Sequence, residues 1–389
     1  MTKKKTILWA AIIINSVVMI VLTFYLMKLP WLAGDEKFLI WSSSAVKFAT
    51  REVPPSENFA LINTSYDLQL IDRLDEYGFP VGQQVVTDRE KLAMLLEAIS
   101  ESKSPPKYII CDIHFVDSTS ADKRLGEVLS KFDNLILSFH LNANNEPEYP
   151  IFKDVNRGLS DYVIGSVFDG VYKYQLIYND SMHLTPLKVY EHISGNKIET
   201  LGPLVRVGDR WAPNNFIMNY RLLQKDIVNV EAGFNPVSMG ELLYLEDADI
   251  QDFVADKIVV IGDFYEHDMH ETLFEITAGP LILLNAFLTI QAGDTYVNFW
   301  FFVLLMLVYI YLSYMVFVEG DYMEKVIIEK FGAIKIAASL AGFMSYLFIL
   351  TLLSLVTFFI FNIHLNIFFL ALAFYLQDKI VGIVYSKMK

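Results

Sequence analysis

Cysteine is almost missing from this sequence: Cys111 stands alone among 389 residues. No intrachain disulfide can form, so the fold rests on packing. Cys111 lies inside the apolar run from Tyr108 to Phe115, the setting of an inert core thiol. Basic charge is also scarce, with 31 Lys and Arg against 45 Asp and Glu, a net −14. Set aside the lysines at 3, 4, 5, 325, 330, 335, 379, 387 and 389 and the acids at 319, 321, 324, 329 and 378. The central part then holds 22 basic and 40 acidic residues, or −18. Such a field excludes nucleic acid as a partner and repels anionic headgroups. Catalytic signatures are absent too. There is no Gly-x-Ser-x-Gly elbow, no Gly-x-x-x-x-Gly-Lys and no Gly-x-Gly-x-x-Gly. The chain therefore reads as no enzyme, with no catalytic residue and no cofactor assigned.

Long apolar runs are what the sequence has. Ile7 to Met27, Phe299 to Val318, Ile336 to Phe361 and Ile363 to Tyr385 each approach or exceed the ~20 residues that cross ~30 Å of hydrocarbon. The first lacks a small-residue cleavage site and reads as an uncleaved anchor. Lys3, Lys4 and Lys5 precede it, Lys325, Lys330 and Lys335 separate the second and third runs, and Lys387 and Lys389 follow the fourth. The positive-inside rule places all of these in the cytoplasm. The expected layout is a tail and anchor over 1–29, an extracytoplasmic domain over 30–297, and a three-helix membrane region over 298–389. That makes a multi-pass protein of the cell inner membrane with both termini cytoplasmic.

Within the central domain, the nearly continuous apolar runs at 59–63, 108–115, 134–141 and 257–262 are strands covered on both faces. Thr87 or Asp88 caps a helix through Ile99, stopped by Pro105-Pro106. Leu125, Val128 and Leu129 mark another helix, Pro186–Ser194 a third, and 278–291 an apolar one. Ser238 is expected to cap a short helix. Val163–Val167 and Val171–Ile177, around Phe168-Asp169-Gly170, read as a hairpin. The fold class is α/β with a mostly parallel sheet, plus four transmembrane helices.

Polar residues just past the carboxyl ends of buried strands line the crevice where ligands bind in such sheets. One strand offers Asp112, His114 and Asp117; the 257–262 strand offers Asp263, His267, Asp268, His270 and Thr272. These side chains either converge on a divalent ion or cap the loops they lie in. Asp169 with Gly170 either belongs to the site or is simply a turn.

The motifs in this order resemble the CHASE2 family of extracytoplasmic sensory domains of bacterial membrane receptors. The resemblance rests on Asp112-Ile-His-Phe115, Asp169-Gly170-Val171, Lys257 to Gly262, Asp268-Met-His270-Glu-Thr272 and Gly279 to Ala286. It departs at Ile62-Asn63, where many members have Ile-Asp, and at Gly78-Phe79-Pro80 and Asp88-Arg89, a reduced form of a Trp-Pro-Trp-Pro-Arg region. An arginine common after the Asp-Gly-Val turn is replaced by Tyr172 or Lys173. The resemblance implies signal transduction: a sensor that binds a small molecule or envelope component, dimerises, and passes its signal on. Members continue into kinases or cyclases, whereas this sequence ends at Lys389, so the expected partner is a separate inner-membrane or cytoplasmic effector, with membrane lipid around the helices. The alternatives are a scaffold subunit of an envelope complex and a metal-dependent extracytoplasmic enzyme built on Asp112, His114, His267, Asp268 and His270. The cytoplasmic loop from Glu319 to Lys335 reads as a short amphipathic helix. Gln377-Asp378-Lys379 interrupt the fourth run, and the expected outcome is that the span ends there and an interfacial tail follows.

Overall fold

A computed structural model describes residues 3–28, 37–74, 77, 79–162, 170–179, 181–229, 233–294, 296–319, 329 and 335–388. Seven strands form the central sheet. Across it run Val237–Ser238, Phe59–Asn63, Ile258–Gly262, Tyr108–Asp112, Leu135–Leu141 and then, on the same edge strand, both Pro147–Glu148 and Arg157–Leu159. All neighbours are parallel except Leu135–Leu141 with Pro147–Glu148. Alternate side chains serve opposite faces, as a pleat demands. Leu61, Ile110, Ile136 and Val260 meet the helices Thr185–Ser194 and Gly279–Gln291 on one face. Ile62, Ile109, Cys111 and Ile261 meet Arg89–Ser100, Asp122–Leu129 and Asp247–Val254 on the other. Cys111 is fully buried, and burial pushes its thiol pKa well up. The register aligns Asn63, Gly262 and Asp112 at one rim of the sheet.

Several expectations need correcting. Two strands not expected from the sequence follow Asn63: Leu68–Leu74 pairs antiparallel with Pro80–Thr87 in a hairpin of its own. Gly78 lies outside the described residues. Ser238 stands at the N-cap of Met239–Leu242, but its hydroxyl donates to Asp67, whose carboxylate accepts the Gly240 amide in its place. Residues 163–169 also lie outside the described residues, so the proposed hairpin partner of Val171–Ile177 is not seen. Lys173–Gln175 pairs with Asn215–Ile217. The loop from Glu319 to Lys335 falls almost wholly outside the described residues.

Four helices, Lys5–Lys28, Phe299–Val318, Ala337–Phe361 and Ile367–Val384, are long and apolar enough to cross a membrane. The last runs unbroken through Gln377, Asp378 and Lys379 to Met388, so no separate interfacial tail begins there. Asp378 is buried among the helices, and Gln377 accepts from Asn15, which also bonds Ser313 on the second span. Helix geometry wins because a break would leave backbone groups unsatisfied in an apolar setting.

Body and bundle meet through asparagines. Asn215 donates to the carbonyls of Met27 and Lys28, each at 2.9 Å, at the end of the first span. Asn366 donates to Leu26 at 3.2 Å. Asn362, at φ 57° in the turn between the third and fourth spans, donates to Ile217 O at 3.2 Å and accepts from Lys47 at 2.6 Å. His364 sits in the same turn between the hydroxyls of Ser43 and Ser354, stacked on Phe358. The helix Lys37–Phe48 supplies Ser43 and Lys47, and its Ile40 packs with Tyr172, Ile217 and Phe358. A short amide-rich turn thus ties strand, juxtamembrane helix and two spans together.

Candidate functional site

The structure separates the candidate residues into distinct neighbourhoods. Asp263 sits at the Asn63–Gly262 rim and caps the irregular loop beyond Gly262. Its carboxylate accepts the amides of Tyr265, Glu266 and His267 at 2.9–3.0 Å and the Ser65 hydroxyl. Burial alone would raise its pKa, but those four donors hold it down to about 2. His267 is exposed, and among the described residues its ring meets this same carboxylate, at 3.1 Å. Asn63 Oδ1 accepts the Ser65 hydroxyl and the Phe264 amide. Asp263 and His267 therefore do the loop-capping work foreseen as their alternative role. Asp117 accepts from Gln84 of the hairpin. Thr272 closes a turn, its hydroxyl donating to Glu275 O at 2.6 Å.

Asp112, Asp268 and His270 form a second neighbourhood. Asp112 ends its strand, and burial together with the charge of Asp268 lifts its pKa to about 6. His270 meets Asp268 at 2.7 Å, and Tyr162 stands edge-on to the His270 ring at 5.0 Å. Gly279 leaves room for this pair, since a Cβ there would collide with the Asp268 carboxylate. Sequence reasoning passed over three further members. His140, near the end of the Leu135–Leu141 strand, meets Asp161 at 2.9 Å, and the nearby Ser138 favours the charged form of Asp112. Burial works against the charged His140 ring, but the Asp161 bond and the charges of Asp112 and Asp268 outweigh it, and its pKa is raised. His114 lies 5.6 Å from His140, ring to ring, and 3.4 Å from Glu148. Burial and the His140 charge lower its pKa. The strand-end rule that picked Asp112 also points to His140. Asp161 follows a three-residue strand too short to leave a pattern in the sequence.

The cluster mixes the carboxylates of Asp112, Asp161 and Asp268 with the imidazoles of His140 and His270 and with Tyr162. Among the described residues, no group of three or more His, Cys, Asp or Glu side chains is placed to hold a metal ion. The residues named for a metal centre are divided, with Asp263 and His267 on one loop and Asp268 and His270 beside Asp112. Asp169 lies outside the described residues. Its neighbour Gly170 packs so close to the chain at Thr272 that a Cβ would fall 2.7 Å from Thr272 O. Val171 donates its amide to Glu271 O at 2.7 Å, one residue past His270.

The Asp112 cluster therefore has a direct backbone link toward the apolar helices. Glu271 holds Val171, Tyr172 follows, and Tyr172 packs on Ile40 and Phe358 beside the Asn362 turn. Neither a curated protein nor a solved structure matches the chain. A family model for the CHASE2 domain, an extracellular sensory module, matches residues 17–318, from within the first span to the end of the second. With most of its length so matched, the chain belongs to the CHASE2 domain family.

Proposed function

We propose that this protein is a sensor subunit of the cell inner membrane, with its central domain extracytoplasmic and both termini cytoplasmic. The crevice around Asp112, Asp268 and His270 takes a small molecule carrying a cationic group. The helix bundle passes the occupied state to a separate effector protein. The observation that carries this reading is the position of the Asp112–Asp268 pair. Two carboxylates whose charges oppose one another lie close to the Glu271–Val171 backbone bond, which leads to the Tyr172 contact with the membrane helices. A cation between them relieves the repulsion, and only a ligand that favours one arrangement over another can shift it.

Cys111 supplies the test, because a thiol-reactive dye reaches this single buried cysteine only on unfolding. Small amines and polyhydroxylated amines are screened against the full chain in detergent for a rise in melting temperature. Compounds that stabilise the wild type should lose about tenfold or more in affinity in Asp268→Asn. Equal binding to Asp268→Asn and Asp112→Asn would move the site elsewhere. Topology is checked separately: a cytoplasm-only reporter should be active after Lys389 and inactive near Gly233, and the reverse pattern would overturn the orientation.

One observation favours a second reading, a scaffold subunit of an envelope complex. The Leu68–Leu74 and Pro80–Thr87 hairpin exposes Leu70, Tyr77, Phe79, Val81 and Val85. Contiguous exposed apolar surface of that kind marks docking sites. Photo-crosslinking from Phe79 to one stoichiometric envelope protein, with no ligand found for the crevice, would favour it.

A further inference from the structure

The central domain is strongly acidic, yet its membrane-facing junction gathers cations around two adjoining cavities. One, of about 200 Å³, is walled by Lys47, Arg51, Arg221, Phe48 and Phe274 among others. The other, of about 330 Å³, is walled by Lys47, Arg210, Tyr296, Asn298, Ile360 and Phe361. Lys47 and Asp294 belong to both linings. Their depth is fixed by the spans: Asn298 caps the second span and Phe361 ends the third. Lys47, Arg51, Arg210 and Arg221 face only Glu52 and Asp294 as acids in the two linings.

Fixed acidic partners engage three of these cations. Arg51 is matched twofold by Asp226, and Arg221 shares Asp294 at 2.9 Å. Lys47 donates to Asn362 Oδ1 and faces the Phe358 ring at 4.9 Å; neither partner is an anion. Arg210 lies over the Tyr296 ring at 5.2 Å and 3.8 Å from the exposed Asp209 carboxylate. Two buried polar atoms in the walls, Ser44 Oγ and Arg221 Nε, have no hydrogen-bond partner among the described residues. Burial, helped by the Arg221 charge, lowers the pKa of Lys47 even though Asp294 pulls the other way. Outside the second cavity Ile360 is 64% exposed, and Phe299 and Trp300 are exposed at the same level, as residues of a lipid interface are.

We propose that these cavities bind a phosphate group, supplied by an anionic phospholipid of the leaflet on the body side. Lys47, Arg210 and Arg221 hold the phosphate, and the acyl chains leave along Ile360 and Phe361. The net repulsion expected from the body's total charge does not govern here, because screening confines charge effects to ~10 Å and the two linings hold four cationic side chains against two acids. The reading is independent of the Asp112 crevice. Since Lys47 also holds Asn362, a lipid drawn onto Lys47 acts on the turn that joins body to bundle.

The experiment uses the full chain in mild detergent, melted with the Cys111 dye while dioleoyl phosphatidylglycerol, dioleoyl phosphatidylcholine or glycerol 1-phosphate is added. Phosphatidylglycerol should raise the melting temperature by several degrees, with little effect from phosphatidylcholine. The lipid concentration at half effect should rise roughly tenfold in Lys47→Gln and in Arg210→Gln, and stay unchanged in Lys103→Gln. Arg210 is mostly solvent-exposed, so its variant stays informative if Lys47→Gln folds poorly. An equal shift from glycerol 1-phosphate alone supports the phosphate site and assigns it to a soluble ligand. Equal shifts from both lipids, or no change in either variant, overturn the proposal.

Discussion

Asp122→Ala is expected to lower the stability of the central domain by about 3–5 kcal/mol, the cost of leaving a buried charge without its partner. Arg89 begins its helix yet is only 1% exposed, with Nη1 on Asp122 at 2.5 Å and the guanidinium over the Phe115 ring at 5.3 Å. Its Nη2 already lacks a hydrogen-bond partner among the described residues. Asp122 also accepts the Thr119 amide at 2.7 Å and the Thr119 hydroxyl at 2.8 Å, fixing the entry to the next helix. The pair pins two helices on one face of the sheet. For a domain of this size the loss amounts to roughly 10 °C in melting temperature. Adding Arg89→Met to Asp122→Ala should recover most of it, since an apolar replacement of a buried pair is often near neutral. The Cys111 dye reads both variants in the full chain. A drop under about 2 °C for Asp122→Ala would mean that the guanidinium finds water or another acceptor.

Arg89 also illustrates what the sequence made readable. The cap at Asp88 and the apolar spacing of Leu92, Leu95, Leu96 and Ile99 located the helix, and Asp88 does accept the amides of Glu90 and Lys91. Nothing local showed that Arg89 would turn inward, because its partner lies 33 residues on. The central strands were legible as continuous apolar runs, and their parallel pairing followed from the intervening helices. The Leu68–Leu74 hairpin was not. It packs chiefly on itself, so Asp72, Arg73, Gln83 and Gln84 break the alternation that a half-buried strand would display. The site divided along the same line. Strand ends gave Asp112, but the loops after Gly262 decide which acids face it, and loop paths depend on close approaches such as Gly279 against Asp268. Asp263 and Asp268, five residues apart, consequently serve different tasks.

The pH response of the crevice follows from Asp112. Its folded-state pKa, about 6, stands above the ordinary carboxyl value of 3.8 because burial and the Asp268 charge oppose ionisation. The native state therefore holds this proton more tightly than the unfolded chain does. The stability it contributes is complete below about pH 4 and lost as pH rises through about 6. The change is worth at most about 3 kcal/mol, since each tenfold difference in proton affinity between the folded and unfolded chain corresponds to about 1.4 kcal/mol. His140, with a raised pKa, adds loss of the same sign as pH rises, whereas His114, with a lowered one, works against it. Asp263 has the opposite behaviour, its contribution vanishing only as pH falls from about 4 toward 2, outside the window. The melting temperature of the wild type should thus fall between pH 5 and 7.5, and Asp112→Asn should flatten much of that fall. Binding of a cationic ligand should run the other way. It needs the ionised pair, so affinity should strengthen as pH rises through 6, while the empty protein weakens. That opposition separates a ligand site from a mere structural strain: if Asp112→Asn flattens the melting profile but leaves the pH dependence of binding intact, the carboxylate is a burden of the fold and another group holds the ligand.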